Sequence, residues 1–423
     1  MEPIVNLDRA DTCDTASEHR CHFAGLGISR SHFSARVIGS WIVDASSTSP
    51  LDEISAILES SKGMGDDSEN NSGWMILLGY ELGRAIETKA QYSSQQPKDS
   101  RIFQPDFPLA VIQRWSRIKD DQIVDADRCS ESYEIGTLHS SLGREKYIKA
   151  VERVQQYISA GDIYQANIAH QLRGSFTGDV LACYSDLISR AQPRAGAMME
   201  FEFNRVEHAI LSISPEIYLE YDPRSNVICT EPMKGTRPLN SNVSELRDSI
   251  KDRAELDMIT DLMRNDLGRI CELGSVRVAD HRRIESHQSG VLQAVARIEG
   301  LLRKQIGIRE IIQGTYPPGS ITGTPKVRAM QVIDELEACS RNSYCGSMLV
   351  LDNQGRFKSS VLIRTAHIWG DKDPNTPKNI QNGQFVYPVG AGIVADSDPQ
   401  AEWEETLLKA AVLRDALGLD LDE

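Results

Sequence analysis

The sequence predicts an α+β protein built on antiparallel sheets, and three observations lead there. Strand-like runs fall in clusters instead of alternating one by one with helices; the runs 209–214/217–221 and 347–351/361–369 look like hairpin partners; and helical periodicity is confined to four stretches.

In chain order, Tyr147, Val151, Val154 and Ile158 recur at helical spacing ahead of Gly161, which reads as a C-terminal cap. Strands are predicted at 209–214, 217–221 and 227–230, rich in β-branched and aromatic residues. A second helix is expected over 243–267 and a third over 325–339, where Thr324 can cap and Pro325 occupies the first turn at no hydrogen-bonding cost. The core face of the third is Ala329, Val332, Ile333 and Leu336. Further strands are predicted at 347–351, 361–369 and 385–389, and a fourth helix over 399–417. Three stretches rich in Gly, Pro, Ser and Asn, 61–73, 92–100 and 370–384, read as surface loops. No repeat of fixed period is present, which argues against solenoids and propellers.

Composition narrows the classes of function. With 423 residues, 40% hydrophobic and 25% charged, the chain can form one large or two ordinary domains. Lys and Arg number 46 against 61 Asp and Glu, a formal charge of -15, so no nucleic-acid partner is expected and an anionic substrate needs a local positive site. The longest apolar runs, such as 75–78, fall far short of the roughly 18–20 residues of a membrane span. The start MEPIVNLDRADT lacks the basic-then-apolar order of a signal peptide. Eight cysteines are scattered without a C-x-x-C pair, which fits neither a zinc site nor a disulfide framework. The expectation is a cytoplasmic protein with reduced thiols and no membrane association.

Several constellations could carry chemistry. Asp252 and Glu255 are three apart on one predicted helix, Glu402 and Glu405 three apart on another, so each pair shares a face. Brought together, such hard oxygens suit Mg²⁺; left apart, they are a solvated acidic surface. Lys409 is either an ion-pair partner of Glu405 or an anchor for a substrate carboxylate. Lys234, between Pro232 and Gly235 after a strand, is either an exposed loop lysine or, turned inward and desolvated, a nucleophile. In PPGSITGTPK, the amides of Gly323 and Thr324 would lie at a helix N-terminus, which favours an anion, although the G-K-[ST] ending of a P-loop is missing. Gly390, Ala391 and Gly392 are a side-chain-free floor for a ligand or a bulge. Arg364, inside the predicted strand VLIRTAHIW, either faces solvent or forms a buried fork for a carboxylate. Tyr344 and His287 carry polar tips that reach a ligand or a backbone carbonyl.

These pieces occur in one order. AGDIYQANI, SPEIYL, PMKGTRP, AELDMITDLMRNDLGRIC, PPGSITGTPKVRAM, YCGSM, IRT, GAGIVADSDP and EWEETLLKA together resemble the chorismate-utilising enzymes, the group of anthranilate synthase and aminodeoxychorismate synthase component I. The resemblance covers about two thirds of the chain. It implies a single four-layer α/β/β/α sandwich of two antiparallel sheets flanked by helices, with 141–421 as the chorismate-binding catalytic region and 1–140 completing the sandwich. Two positions discriminate members. Isochorismate and salicylate synthases carry a lysine where Gln165 stands, and a glutamine cannot activate water. Aminodeoxychorismate synthases carry P-I-K-G-T where this chain reads PMKGT, whereas anthranilate synthases usually have alanine at the lysine.

The implied reaction is amination of chorismate with ammonia to 4-amino-4-deoxychorismate, for 4-aminobenzoate and folate synthesis. The resemblance makes Lys234 the nucleophile at C2, Glu216 the general acid, and His287 a partner of the enolpyruvyl group, although HQSG replaces the usual H-L-x-S. It implies Mg²⁺ at Glu255 and Glu405 with Asp252 and Glu402 as outer ligands, and substrate contacts from Gln165, Thr322, Gly323, Tyr344, Arg364, Gly390, Ala391, Gly392 and Lys409. Where relatives carry N-P-x-P-Y/F, this chain reads QPRAGAMMEF, which argues against an inhibitory tryptophan site. No glutamine amidotransferase nucleophile motif is present, so ammonia is expected from a separate glutamine amidotransferase subunit. The rival readings are an anthranilate synthase component, an isochorismate or salicylate synthase, and an inactive regulatory homologue.

Overall fold

The computed structural model describes residues 20–24, 33–62, 72–87, 104–117, 132–287, 291–374, 376, 379–419 and 421–422. The predicted loop 92–100 and most of 61–73 lie outside the described residues.

Antiparallel pairing assembles two large sheets. The first runs in spatial order through Arg277–His287, Val291–Leu301, Val227–Glu231, Ile217–Asp222 and Phe357–Val361. It continues through Ser347–Asp352, Ser72–Leu78, Ala110–Arg117 and Phe33–Val43. Met233–Pro238 pairs with Val291–Leu301 beyond Val227–Glu231. The second sheet runs through Ala195–Phe203, Val206–Ser214, Thr365–Lys372, Asn379–Ile393 and Gln165–Asp179. The short strand Arg20–Ala24 pairs with Phe33–Val43 on one side and Ala195–Phe203 on the other, joining the sheets along one seam.

Central strands are buried on both faces, and alternation assigns each residue to a layer. In Ser72–Leu78, Trp74, Ile76 and Leu78 pack beneath the helices while Met75 and Leu77 join Met348, Val350, Met199 and Phe201 between the sheets. The helices Pro50–Ser60, Ile250–Ile270 and Ile308–Thr315 cover the outer face of the first sheet. Val180–Ala191 and Pro399–Leu417 cover the second, with Arg144–Ser159 and Lys326–Leu336 packed at its far end. This is the four-layer α/β/β/α sandwich.

The helix Pro399–Leu417 has the predicted bounds, opened by an Asp398 carboxylate that accepts the Ala401 N–H and closed by a left-handed Gly418. Other expectations are corrected. Strands 209–214 and 217–221 are not hairpin partners: Pro215 and Glu216 carry the chain from the second sheet to the first, where Ile217–Asp222 pairs with Phe357–Val361. The predicted strand 361–369 is two strands, broken at 362–364 by the return passage. Helix 243–267 is divided into Val243–Arg247 and Ile250–Ile270 because Ser249 accepts the Asp252 N–H and starts a new helix. Thr324 does not cap the third helix, which begins at Lys326; its backbone pairs with Gln165 instead. The stretch 370–384 is largely strand, since Thr365–Lys372 and Asn379–Ile393 run into it from both sides.

Met348 is fully buried between the sheets. Met348→Ala is expected to lower stability by about 2–5 kcal/mol, read as a shifted denaturant midpoint, whereas Leu273→Ala at the surface should leave it nearly unchanged.

Candidate active site

The two passages between the sheets lie side by side. The Ser214 hydroxyl donates to the Val361 carbonyl at 2.6 Å, the Val361 N–H to the Glu216 carbonyl at 3.1 Å, and the Ile213 N–H to the Arg364 carbonyl at 3.0 Å. Glu216 and Arg364 therefore share one end of the sandwich. Arg364 has φ +49°, a conformation that a strand interior does not use, so the expectation of a strand residue is corrected to one at a crossover. Loss of solvation lowers its pKa from the usual arginine range.

A cavity of about 880 Å³ opens at this end. Its lining includes Glu216, Lys234, Tyr344 and Arg364; the helix carboxylates Asp252, Glu255, Glu402 and Glu405; and Gly390, Gly392 and Lys409. Glu216 is buried and accepts a hydrogen bond from the Ser320 hydroxyl. Burial, opposed by that bond and by the charges of Lys234 and Arg194, pushes its carboxyl up to about 7.

Lys234 is brought in by the strand Met233–Pro238, whose next residue, Gly235, has φ +73°. A Cβ there would lie 2.6 Å from Leu246 Cδ1 and 2.9 Å from Asp252 Cγ, so only glycine lets this strand approach the helix carrying Asp252. Gly392 is the floor beneath the lysine: a Cβ on it would lie 3.1 Å from Lys234 Nζ and 2.6 Å from Gln165 Nε2. Gln165 is buried, and its Oε1 has no hydrogen-bond partner among the described residues. Gly390 is similarly crowded, with the Ile168 carbonyl oxygen 2.7 Å and Tyr344 Oη 2.9 Å from the corresponding point, and its carbonyl accepts a 2.8 Å hydrogen bond from Lys409 Nζ.

The carboxylates come from two helices facing one cavity. Asp252 pairs with Arg237 at 2.7 Å, Glu405 with Lys409 at 2.8 Å, and Glu402 accepts from the Ser397 hydroxyl at 2.7 Å. Glu255 has no ion-pair partner among the described residues. No three His, Cys, Asp or Glu side chains among the described residues gather closely enough to enclose a metal ion on their own.

Other predicted residues stand beside the cavity. The Thr322 hydroxyl turns to the carbonyls of Pro318 and Gly319. Gly323, paired with Ala166, would place a Cβ 2.2 Å from the Gln165 carbonyl, so its glycine serves close packing of two backbones. The segment expected to open as a helix N-terminus is instead paired as a short strand. Ala391 packs into the core under Arg144–Ser159. The side chain of His287 lies outside the described residues. The sequence reading missed Ser320, Asn167 and Arg237, which also line the cavity. Each sits inside a motif already singled out, so position within the motif was the available signal.

A model of the chorismate binding enzyme family matches residues 29–415, and the chain belongs to that family. Among its relatives, aminodeoxychorismate synthase component 1 of Escherichia coli (strain K12) is 34% identical over 371 residues, covering 81% of this chain and 76% of the relative. An anthranilate synthase component 1 of Haloarcula marismortui is 36% identical over 288 residues, 66% of this chain and 55% of the relative. The solved anthranilate synthase component I from Streptococcus pneumoniae superposes with a TM-score of 0.68 at 20% identity, covering 98% of both chains. Among the described residues no helix is long and apolar enough to cross a membrane.

Gly392→Ala tests the floor. The fold should persist, because the crowded atoms are ends of flexible side chains, but displacing Lys234 and Gln165 is expected to reduce chorismate turnover about a hundredfold, read by steady-state kinetics beside a melting curve.

Proposed function

We propose that the protein aminates chorismate at C4 with ammonia, giving 4-amino-4-deoxychorismate, as the synthase component of a two-subunit enzyme. The observation that carries this reading is Lys234 Nζ above Gly392, in one cavity with the buried carboxyl of Glu216. Similarity to aminodeoxychorismate synthase component 1 over 81% of the chain supports it.

In this reading, the ring carboxylate faces the acidic helices and the enolpyruvyl carboxylate meets Arg364, Tyr344 and Lys409, the local positive field of an otherwise acidic protein. Lys234 Nζ forms a bond to C2 while both ring double bonds shift and the C4 hydroxyl departs as water, taking the proton held by Glu216. Ammonia then bonds to C4, both double bonds shift back, the lysine amine leaves C2, and the new ammonium returns a proton to Glu216. Two successive displacements give retention at C4. Gln165 has no basic group with which to activate water, which favours ammonia as the final nucleophile. The hard oxygen donors of Asp252, Glu255, Glu402 and Glu405 fit Mg²⁺, using one or two of them with water and substrate oxygens completing the shell. When bound, such an ion neutralises the ring carboxylate and orients the ring. A glutamine amidotransferase subunit is proposed as the ammonia source.

The deciding experiment supplies chorismate, Mg²⁺ and ammonium with and without a 4-amino-4-deoxychorismate lyase. Appearance of 4-aminobenzoate only with the lyase is expected; anthranilate without it would establish the rival reading. Lys234→Ala should lower turnover by at least about 10³-fold, and unchanged turnover would remove the lysine from the chemistry. Glu216 acts in its protonated form, so with free NH₃ held constant kcat/KM should fall as pH rises through about 7, and Glu216→Gln should abolish that limb together with most activity. Titration with EDTA should abolish turnover and Mg²⁺ should restore it.

A further inference from the structure

We propose that Arg341, held by Glu337, is a positioning residue for substrate binding that acts through Tyr344. This rests on the reading of the cavity as the chorismate site. Arg341 does not line that cavity, yet it holds the backbone or the ring of three residues that do.

Tyr344 needs such a support because its backbone lies in no helix or strand. It follows Asn342 at φ +55° and precedes Cys345 at φ +62°, in a turn where the Tyr344 N–H donates to the Arg341 carbonyl at 2.9 Å. Around this turn the Arg341 guanidinium spends its donors deliberately. Nη2 donates to Glu337 Oε1 at 2.6 Å and to the Asn167 carbonyl at 2.7 Å; Nε donates to Glu337 Oε2 at 3.0 Å; Nη1 donates to the Ile321 carbonyl at 3.2 Å. Asn167, Ile321 and Tyr344 are all cavity wall. The same guanidinium carbon lies 5.6 Å from the centre of the Tyr344 ring and 4.8 Å from that of Tyr80. Glu337 completes the clamp by accepting the Ala169 N–H at 2.9 Å.

The energetics point the same way. Arg341 and Glu337 are only 4% and 7% exposed, and a desolvated ion pair adds little net stability over an apolar pair of the same volume. What it adds is direction: four hydrogen bonds fix the guanidinium, and the fixed guanidinium sits against the ring. A small cavity of about 10 Å³, room for no more than a water, is lined by Glu337, Arg341, Tyr344 and Pro388, so the ring is closely packed on this side as well. Arg341 thus governs how the Tyr344 hydroxyl meets a substrate carboxylate, without touching the substrate.

A double-mutant cycle on KM and kcat for chorismate reads this. Arg341→Lys and Tyr344→Phe should each raise KM about tenfold with kcat within about twofold, and the double variant should be no worse than either, because both remove one interaction. An unchanged KM in Arg341→Lys, or single effects that multiply to about a hundredfold in the double, would overturn the proposal. Should Arg341→Lys fail to fold, Glu337→Gln takes its place in the same cycle, with coupling to Tyr344→Phe expected and additivity overturning. A wild-type protein without chorismate turnover would overturn the functional reading itself, and this inference with it.

Discussion

The structure depends on the hydrogen bonding between two neighbouring passages from one sheet to the other. Because Ser214, Glu216 and Ile213 bond to Val361 and Arg364, the sheets are tied at a fixed distance at one end of the sandwich. The chain is irregular there, and irregular backbone can aim side chains where alternation within a strand cannot. Glu216 and Arg364 face a common space for this reason. Two further contributions arrive from layers that the sheets position: the strand of Lys234, and the outer helices with their carboxylates.

The charges in the cavity make sense as one arrangement. A molecule of net charge -15 concentrates Lys234, Arg237, Arg364 and Lys409 around one opening, with Arg237 paired to Asp252 and Lys409 to Glu405. Burial raises the carboxyl of Glu216 to about 7, while Asp252 stands against Arg237 and Glu405 against Lys409. The glycines at 390 and 392 add the missing element, a wall on which a planar ring can lie against backbone.

How much of this was legible in the sequence follows from what local pattern encodes. Helix 399–417 was readable to the residue because its start, its end and its Pro are all local signals. The clustering of strands gave the antiparallel class. Pairing was not readable: alternation tells which face a residue takes, not which strand lies beside it, and here neighbouring runs such as 209–214 and 217–221 belong to different sheets. Strands buried on both faces, like Ser72–Leu78, blur even the alternation. For the site, Lys234 and the carboxylate pairs were each ambiguous alone, and their order along the chain, by resemblance, is what joined them. Ser320 and Arg341 escaped because their significance lies in partners more than a hundred residues away or across a turn, in Glu216 and in the ring of Tyr344.

The pairing of Gln165–Asp179 with Asn379–Ile393, and of Ser72–Leu78 with Ser347–Asp352, has a temporal meaning. Each sheet receives an interior strand from beyond residue 346, so the strands before it emerge from the ribosome with a place between them empty. At roughly 5–20 residues per second, apolar strands wait many seconds for the segment that completes them. The nascent chain is thus most exposed to aggregation until residues 347–393 have emerged and taken their places.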